Sequence, residues 1–168
     1  WKINGDFSNE SKKIVIAIAP HTSNWDFVVG LAARSILRLR NVRFLGKSQL
    51  FKPPYGWIFR ILGGYPIDRQ RREDMVNQVA ALFNDHDEFR LALAPEGTRK
   101  KVERLKTGFY YIAKKAGVPI IPVGFDFARK EVVIGQPLIP SDNVDADFER
   151  LHQFYGTITG KNPELGFP

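Results

Sequence analysis

Short apolar runs alternate with amphipathic stretches along most of this chain. Residues 15–19 are apolar and rich in β-branched side chains, the pattern of a buried strand. Residues 24 to about 39 carry Phe27, Val28, Leu31, Ala32, Ile36 and Leu39 at helical spacing, which predicts a helix. A strand is expected over 42–45. A mixed aromatic segment broken by Pro53-Pro54 follows over 48–62, and a short strand over 65–67 after Gly63-Gly64. Met75, Val79, Leu82 and Phe83 predict an amphipathic helix over 72–83. Further strands are expected over 89–94 and 119–123, with a helix over 107–116 between them. Residues 125–134, turning at Ala128-Arg129-Lys130, read as an edge hairpin, and residues 144–155 as a closing helix. Strands alternating with helices predict an α/β fold: one domain over residues 1–168, with a mostly parallel central sheet and flanking helices. No internal repeat, low-complexity tract or linker interrupts the pattern.

Composition narrows the chemistry. The 168 residues suffice for one well-formed core. The absence of cysteine removes disulfides, thiolate nucleophiles and sulfur-ligated metals. Apart from His21, the histidines are His86 and His152, which lie in or beside polar helical stretches without ligand spacing, so no metal site is expected. No phosphate-loop pattern and no Gly-x-Gly-x-x-Gly occurs, which argues against nucleotide hydrolysis and dinucleotide redox chemistry. A net charge of +7 attracts polyanions: nucleic acid, anionic lipid headgroups or an acidic partner protein. The chain opens on Trp1 rather than Met, so a preceding segment is expected to be missing. No apolar run here approaches the roughly 18 residues of a membrane span, and no signal-peptide pattern is visible.

Two of the apolar strands end alike, each in Ala-Pro followed by a functional group. The first runs through Ala19-Pro20 into His21-Thr22-Ser23-Asn24-Trp25-Asp26, the second through Ala94-Pro95 into Glu96-Gly97-Thr98-Arg99. Open α/β sheets bind ligands outside the carboxyl ends of their strands. Ser23 occupies an expected helix N-cap and Asp26 the third helical position, a capping-box spacing that needs no chemistry. The same spacing has a second reading. Helical side chains lean toward the N-terminus, so Asp26 can reach back to the imidazole of His21 and orient it as a general base. Ser23 is better placed to cap the helix than to act as a nucleophile.

At the second exit, Gly97 permits a tight turn with exposed N–H groups, and Arg99 adds a planar fork that matches phosphate. Glu96 is positioned to hold Arg99 or a substrate hydroxyl. Lys47 and Arg69 stand at two further strand exits and add positive charge. Each of these cations also fits an ordinary solvated surface.

These residues resemble the four blocks of the glycerolipid acyltransferase superfamily, which includes the 1-acyl-sn-glycerol-3-phosphate acyltransferases. His21 to Asp26 is similar to the His-x4-Asp block and Gly64-Tyr65-Pro66-Ile67-Asp68-Arg69 to the second. Glu96-Gly97-Thr98-Arg99 matches the third, and Val118-Pro119-Ile120-Ile121-Pro122-Val123 is similar to the fourth. The resemblance implies a glycerol-3-phosphate acyltransferase-like fold. It also implies transfer of a fatty acyl group from acyl-CoA or acyl carrier protein to a hydroxyl of a glycerophosphate lysolipid, with no bound cofactor. It assigns His21 as base and Asp26 as its orienter. Glu96, Gly97, Thr98 and Arg99 fall to the acceptor, with Arg69 and Lys47 neutralising its phosphate. Pro20 departs from the Asn that many relatives carry before the histidine. For the tetrahedral oxyanion, the candidate donors are backbone N–H groups near Thr22 or in the Gly97 turn.

The stretch Phe51 to Leu62 combines Trp57, Phe59 and Leu62 with Lys52 and Arg60, which suits either a membrane interface or core and acyl-pocket packing. Arg34, Arg38, Arg40 and Arg43 form a second basic cluster, suited to phospholipid or an acidic carrier. A peripheral location on a cytoplasmic anionic membrane surface is therefore expected. Two other classes remain beside the enzyme. A non-catalytic anionic-lipid-binding module would not need the His-Asp pair. Nucleic-acid binding lacks any recognisable reading motif.

Overall fold

The computed structural model describes residues 1–7, 12–39, 41–67 and 72–166. The strand read at 15–19 is β2 (Lys13–Ile18), and it lies near the middle of the sheet. The others are β1 (Lys2–Asn4), β3 (Val42–Lys47), β4 (Gly64–Ile67), β5 (Phe89–Leu93), β6 (Ile120–Asp126) and β7 (Glu131–Ile134). Five α-helices accompany them among the described residues: α1 (Trp25–Ile36), α2 (Gly56–Ile61), α3 (Arg72–Asn84), α4 (Gly108–Ala116) and α5 (Val144–Tyr155). The strand order is β1-β7-β6-β2-β5-β3-β4, and each neighbouring pair is parallel except β6–β7.

Alternation along β2 divides the core in two. Ile14 and Ile16 pack with Ala33 of α1 and with Val42, Ile121 and Val123. Val15 and Ala17 pack on the opposite face with Phe83 of α3, Tyr110 of α4, and Leu151 and Tyr155 of α5. Helices thus cover both sides of a mostly parallel sheet, as expected of the α/β pattern.

Four local points correct or extend these expectations. The 125–134 hairpin is not the sheet edge. Its first strand is continuous with the 119–123 run, and β1 pairs in parallel outside β7. A three-residue strand carries too little periodicity to be read from sequence. The 48–62 segment is structured: Ser48–Phe51 forms a 3-10 helix and α2 follows. Buried Phe51 organises it by seating its ring on Gly46 and Gly64, where a Cβ would come within 2.8 and 2.7 Å.

The third correction concerns the end of α1. The helix stops at Ile36 rather than near 39, because Arg38 turns left-handed at φ 51° and the Leu39 N–H bonds the Arg34 carbonyl. The fourth concerns the face it buries. Asp26 and Ala33 are the buried residues of α1, while Phe27, Val28 and Ile36 are exposed. The Asp26 carboxylate receives backbone N–H groups from the loop before the helix, and that fixes the rotation of the first turn. No described helix is long and apolar enough to cross a membrane.

Candidate active site

β2 and β5 are adjacent and parallel, with Ala17 opposite Leu93. The chain leaving β2 crosses toward β3, whereas the chain leaving β5 crosses to β6 on the other side of β2. Connections that diverge in this way leave a crevice beyond the carboxyl ends of the strands. Both Ala-Pro exits open into it.

His21 Nδ1 lies 2.9 Å from Asp26 Oδ2. The same oxygen accepts the N–H groups of Thr22 and Ser23, each at 2.9 Å. Asp26 therefore serves both readings of its spacing. It closes the loop before α1, and it meets the imidazole at Nδ1, which leaves Nε2 out of this contact and able in principle to accept a proton. Asp26 is 3% exposed, so this contact sits in a medium that screens it weakly. Ser23 is not the N-cap: Asn24 flanks α1, and Ser23 Oγ accepts the Trp25 N–H at 3.2 Å. That bond engages the Ser23 hydroxyl in the loop rather than with the imidazole.

The position of Glu96 differs from the expectation. It is buried rather than facing an acceptor, and its Oε2 accepts the backbone N–H of His21 at 2.7 Å. Neither is it the partner of Arg99, whose Nη1 donates to Asn24 Oδ1. Parallel pairing of β2 and β5 brings the two exits side by side, so the carboxylate finds the nearest backbone donor. Gly97 has φ +64°, and a Cβ there would come within 2.6 Å of Lys106 Nζ. Lys106 is thus a further cation at the turn, missed because it stands outside any strand exit. Its N–H donates to the Pro95 carbonyl at 2.9 Å, which folds it back over the glycine. Thr98 Oγ1 accepts the Lys100 N–H at 3.3 Å, a bond local to the turn. Lys47 ends β3 opposite Ile67 in register. Arg69 lies outside the described residues, as does Arg40.

The candidate oxyanion donors near Thr22 are corrected. The N–H groups of His21, Thr22 and Ser23 are committed to Glu96 and Asp26, and that of Gly97 to the Ala94 carbonyl. The N–H groups of Thr98 and Arg99 donate to no acceptor among the described residues, so they are the donors the turn still offers.

Burial pushes the Glu96 carboxyl up to about 7 from 4.5, against the His21 N–H and imidazole, which hold it down. The folded protein therefore holds a proton that the unfolded chain loses near 4.5. Stability falls as pH rises between those two values and then levels off. Glu96→Gln keeps an acceptor for the His21 N–H but removes this slope. In urea unfolding the variant is expected to gain on the wild type between about pH 4.5 and about pH 7 and to hold that gain above it. Parallel pH dependences would refute the burial argument.

Residues 2–126, which carry the His-Asp pair and the Gly97 turn, match the Acyltransferase family, and the chain belongs to that family. It is 36% identical over 119 residues to the 1-acyl-sn-glycerol-3-phosphate acyltransferase of Escherichia coli strain K12, covering 68% of this chain and 47% of that protein. The Salmonella typhimurium enzyme of the same name is 37% identical over 113 residues, covering 64% and 45%. The human 1-acyl-sn-glycerol-3-phosphate acyltransferase beta is 33% identical over 119 residues, covering 68% and 41%. The chain spans about half the length of the curated relatives it matches. Its fold is also that of the 1-acyl-sn-glycerophosphate (LPA) acyltransferase PlsC from Thermotoga maritima. The TM-score is 0.61 at 21% identity, over 91% of this chain and 68% of that one. The family expected from the four motifs is the family found.

Proposed function

We propose that this chain is the acyl-transfer domain of a 1-acyl-sn-glycerol-3-phosphate acyltransferase of phospholipid biosynthesis. It moves a fatty acyl group from acyl-CoA or acyl carrier protein to the free hydroxyl of lysophosphatidic acid, giving phosphatidic acid. The observation that carries this reading is the 2.9 Å His21–Asp26 contact beside the Gly97–Arg99 turn. His21 Nε2 takes the acceptor proton as the hydroxyl oxygen attacks the thioester carbonyl. The tetrahedral intermediate then expels the thiolate, which receives the proton back from the imidazolium. Arg99, with Lys106, Lys47 and Arg69 as further cations, neutralises the acceptor phosphate. Glu96 acts on the backbone of His21 rather than on substrate.

Both the substrate and the product are bilayer residents, and the domain meets them as a peripheral protein on a cytoplasmic anionic surface. The exposed side chains of Trp25, Val28 and Ile36 on α1 and of Trp57 and Ile61 on α2 support this, with Arg34, Arg38 and Arg60 among them. An open groove of about 570 Å³, lined by Leu31, Arg34, Arg38, Ile61 and Leu62, runs between the two helices. Arg34 also donates to the Leu62 carbonyl at 2.7 Å, so part of this cluster ties the helices together. A single vesicle assay tests the reading. Protein is mixed with acyl-CoA or acyl carrier protein and with vesicles containing lysophosphatidic acid. Sedimentation reads docking, and mass spectrometry reads the product. Diacyl product is expected, with docking that weakens with salt but keeps an apolar remainder, since each basic residue near such a surface contributes about 1 kcal/mol. Docking without product would favour a non-catalytic lipid-binding module. Product formation with equal, salt-independent docking to neutral vesicles would remove the electrostatic part.

A further inference from the structure

The chain beyond the family-matched residues returns to the site. After α5, Ile158 packs over Gly124 of β6, where a Cβ would come within 2.6 Å of the isoleucine side chain. Thr159 is held at both ends of its backbone. Its N–H donates to Asp126 Oδ2 at 3.2 Å, and its carbonyl accepts the Phe127 N–H at 2.9 Å. Buried Asp126 also accepts the Arg129 N–H at 2.7 Å, so the anchor is itself secured. Gly160 then lies against the catalytic loop, where a Cβ would come within 2.9 Å of Thr22 Oγ1 and 3.2 Å of Pro20 Cγ. Finally, Asn162 takes hold of Thr22 twice. Its N–H donates to Thr22 Oγ1 at 3.1 Å, and its Nδ2 donates to the Thr22 carbonyl at 2.8 Å.

These bonds meet on one peptide group. The Thr22 carbonyl and the Ser23 N–H belong to the same planar unit and point in opposite directions. Asn162 Nδ2 holds the carbonyl, and Asp26 Oδ2 holds the N–H. A peptide whose carbonyl accepts a hydrogen bond is a better donor at its N–H. The plane is thus fixed from both sides, and through it the oxygen that contacts His21 Nδ1. Thr22 is 3% exposed, so water does not readily substitute for either bond.

We infer that Asn162 is a positioning residue for the His21–Asp26 pair, acting through the Thr22–Ser23 peptide from a strap over residues 157–162. This rests on the reading of His21 as the base.

The test compares Asn162→Leu, which is near-isosteric and has no donor, with Asn162→Gln, which restores an amide, and with Gly160→Ala, which presses a methyl onto Thr22. Asn162→Leu should lower kcat about five- to tenfold, the scale of one lost hydrogen bond, with acceptor and donor KM within about twofold. Asn162→Gln should recover part of that rate, and Gly160→Ala should lower kcat in the same way. A second readout is independent of turnover. The downfield proton resonance of His21 Nδ1–H, assigned by its loss in His21→Ala, should move or broaden in Asn162→Leu. Wild-type kcat with an unchanged resonance in folded Asn162→Leu would overturn the inference while leaving the base assignment standing. A rise in acceptor KM at unchanged kcat would move Asn162 into substrate binding and likewise overturn it. Should Asn162→Leu fail to fold, wild-type kcat in folded Gly160→Ala would do the same. If His21→Ala itself proves active, the base reading fails, and the Nδ1–H resonance alone decides whether Asn162 orders the pair.

Discussion

Replacing His21 by alanine is expected to lower acyl transfer by about 10²–10⁴-fold, the usual worth of a positioned general base, while the protein stays folded. The structural bonds of this loop do not use the imidazole. Glu96 takes the backbone N–H of residue 21, which alanine retains. Asp26 keeps the N–H groups of Thr22 and Ser23. Asp26→Asn is expected to cost a similar factor by a different route. An amide oxygen in the place of Oδ2 can keep both backbone donors and Nδ1, so what is lost is the counter-charge for the imidazolium, while the NH2 falls where the buried Oδ1 has no partner. Steady-state rates on purified variants, with circular dichroism as the folding control, check both. Near-normal turnover by folded His21→Ala would end the general-base mechanism.

The second large effect is expected at Arg99. Arg99→Ala should raise the KM of the phosphorylated acceptor by about 10- to 100-fold, the range for a hydrogen bond to a charged group, with little change for the acyl donor. Arg99→Lys should restore only part of this, because an ammonium cannot reproduce the guanidinium fork. The bond from Arg99 Nη1 to Asn24 Oδ1 aims that fork, so Asn24→Ala should give a weaker version of the same acceptor defect. If Arg99→Ala raised only the donor KM, the phosphate would be assigned instead to Lys106 or Lys47.

The strands near the site were legible because their apolar runs stop sharply at Ala-Pro. Their order was less so, since β5 enters between β2 and β3 only in three dimensions. His21 and Asp26 were legible because a four-residue gap across one helix entry is a local fact. The direction of Glu96 was not. Its partner is a backbone N–H 75 residues away, and a backbone donor leaves no mark on side-chain patterns. Lys106 escaped for a related reason: it reaches Gly97 by folding back, not by sequence spacing. Asn162 lies outside all four motifs, 140 residues from the threonine it binds. The exposed stripe of α1 shows the opposite failure. Helical periodicity marked its apolar positions, but a carboxylate at the first turn chose which side of the helix met the sheet.

The two cross-links between the strand exits have a mechanical meaning. Glu96 grips the backbone of His21, and Arg99 grips Asn24, each across 75 residues and three positions apart on both sides. Two rungs at matched spacing make a ladder between the exits. The base proposed at His21 and the anion clamp proposed at Arg99 are therefore linked, so a longer or shorter acceptor is expected to disturb both. A change of acceptor within this scaffold has to be accommodated by walls that do not belong to the ladder.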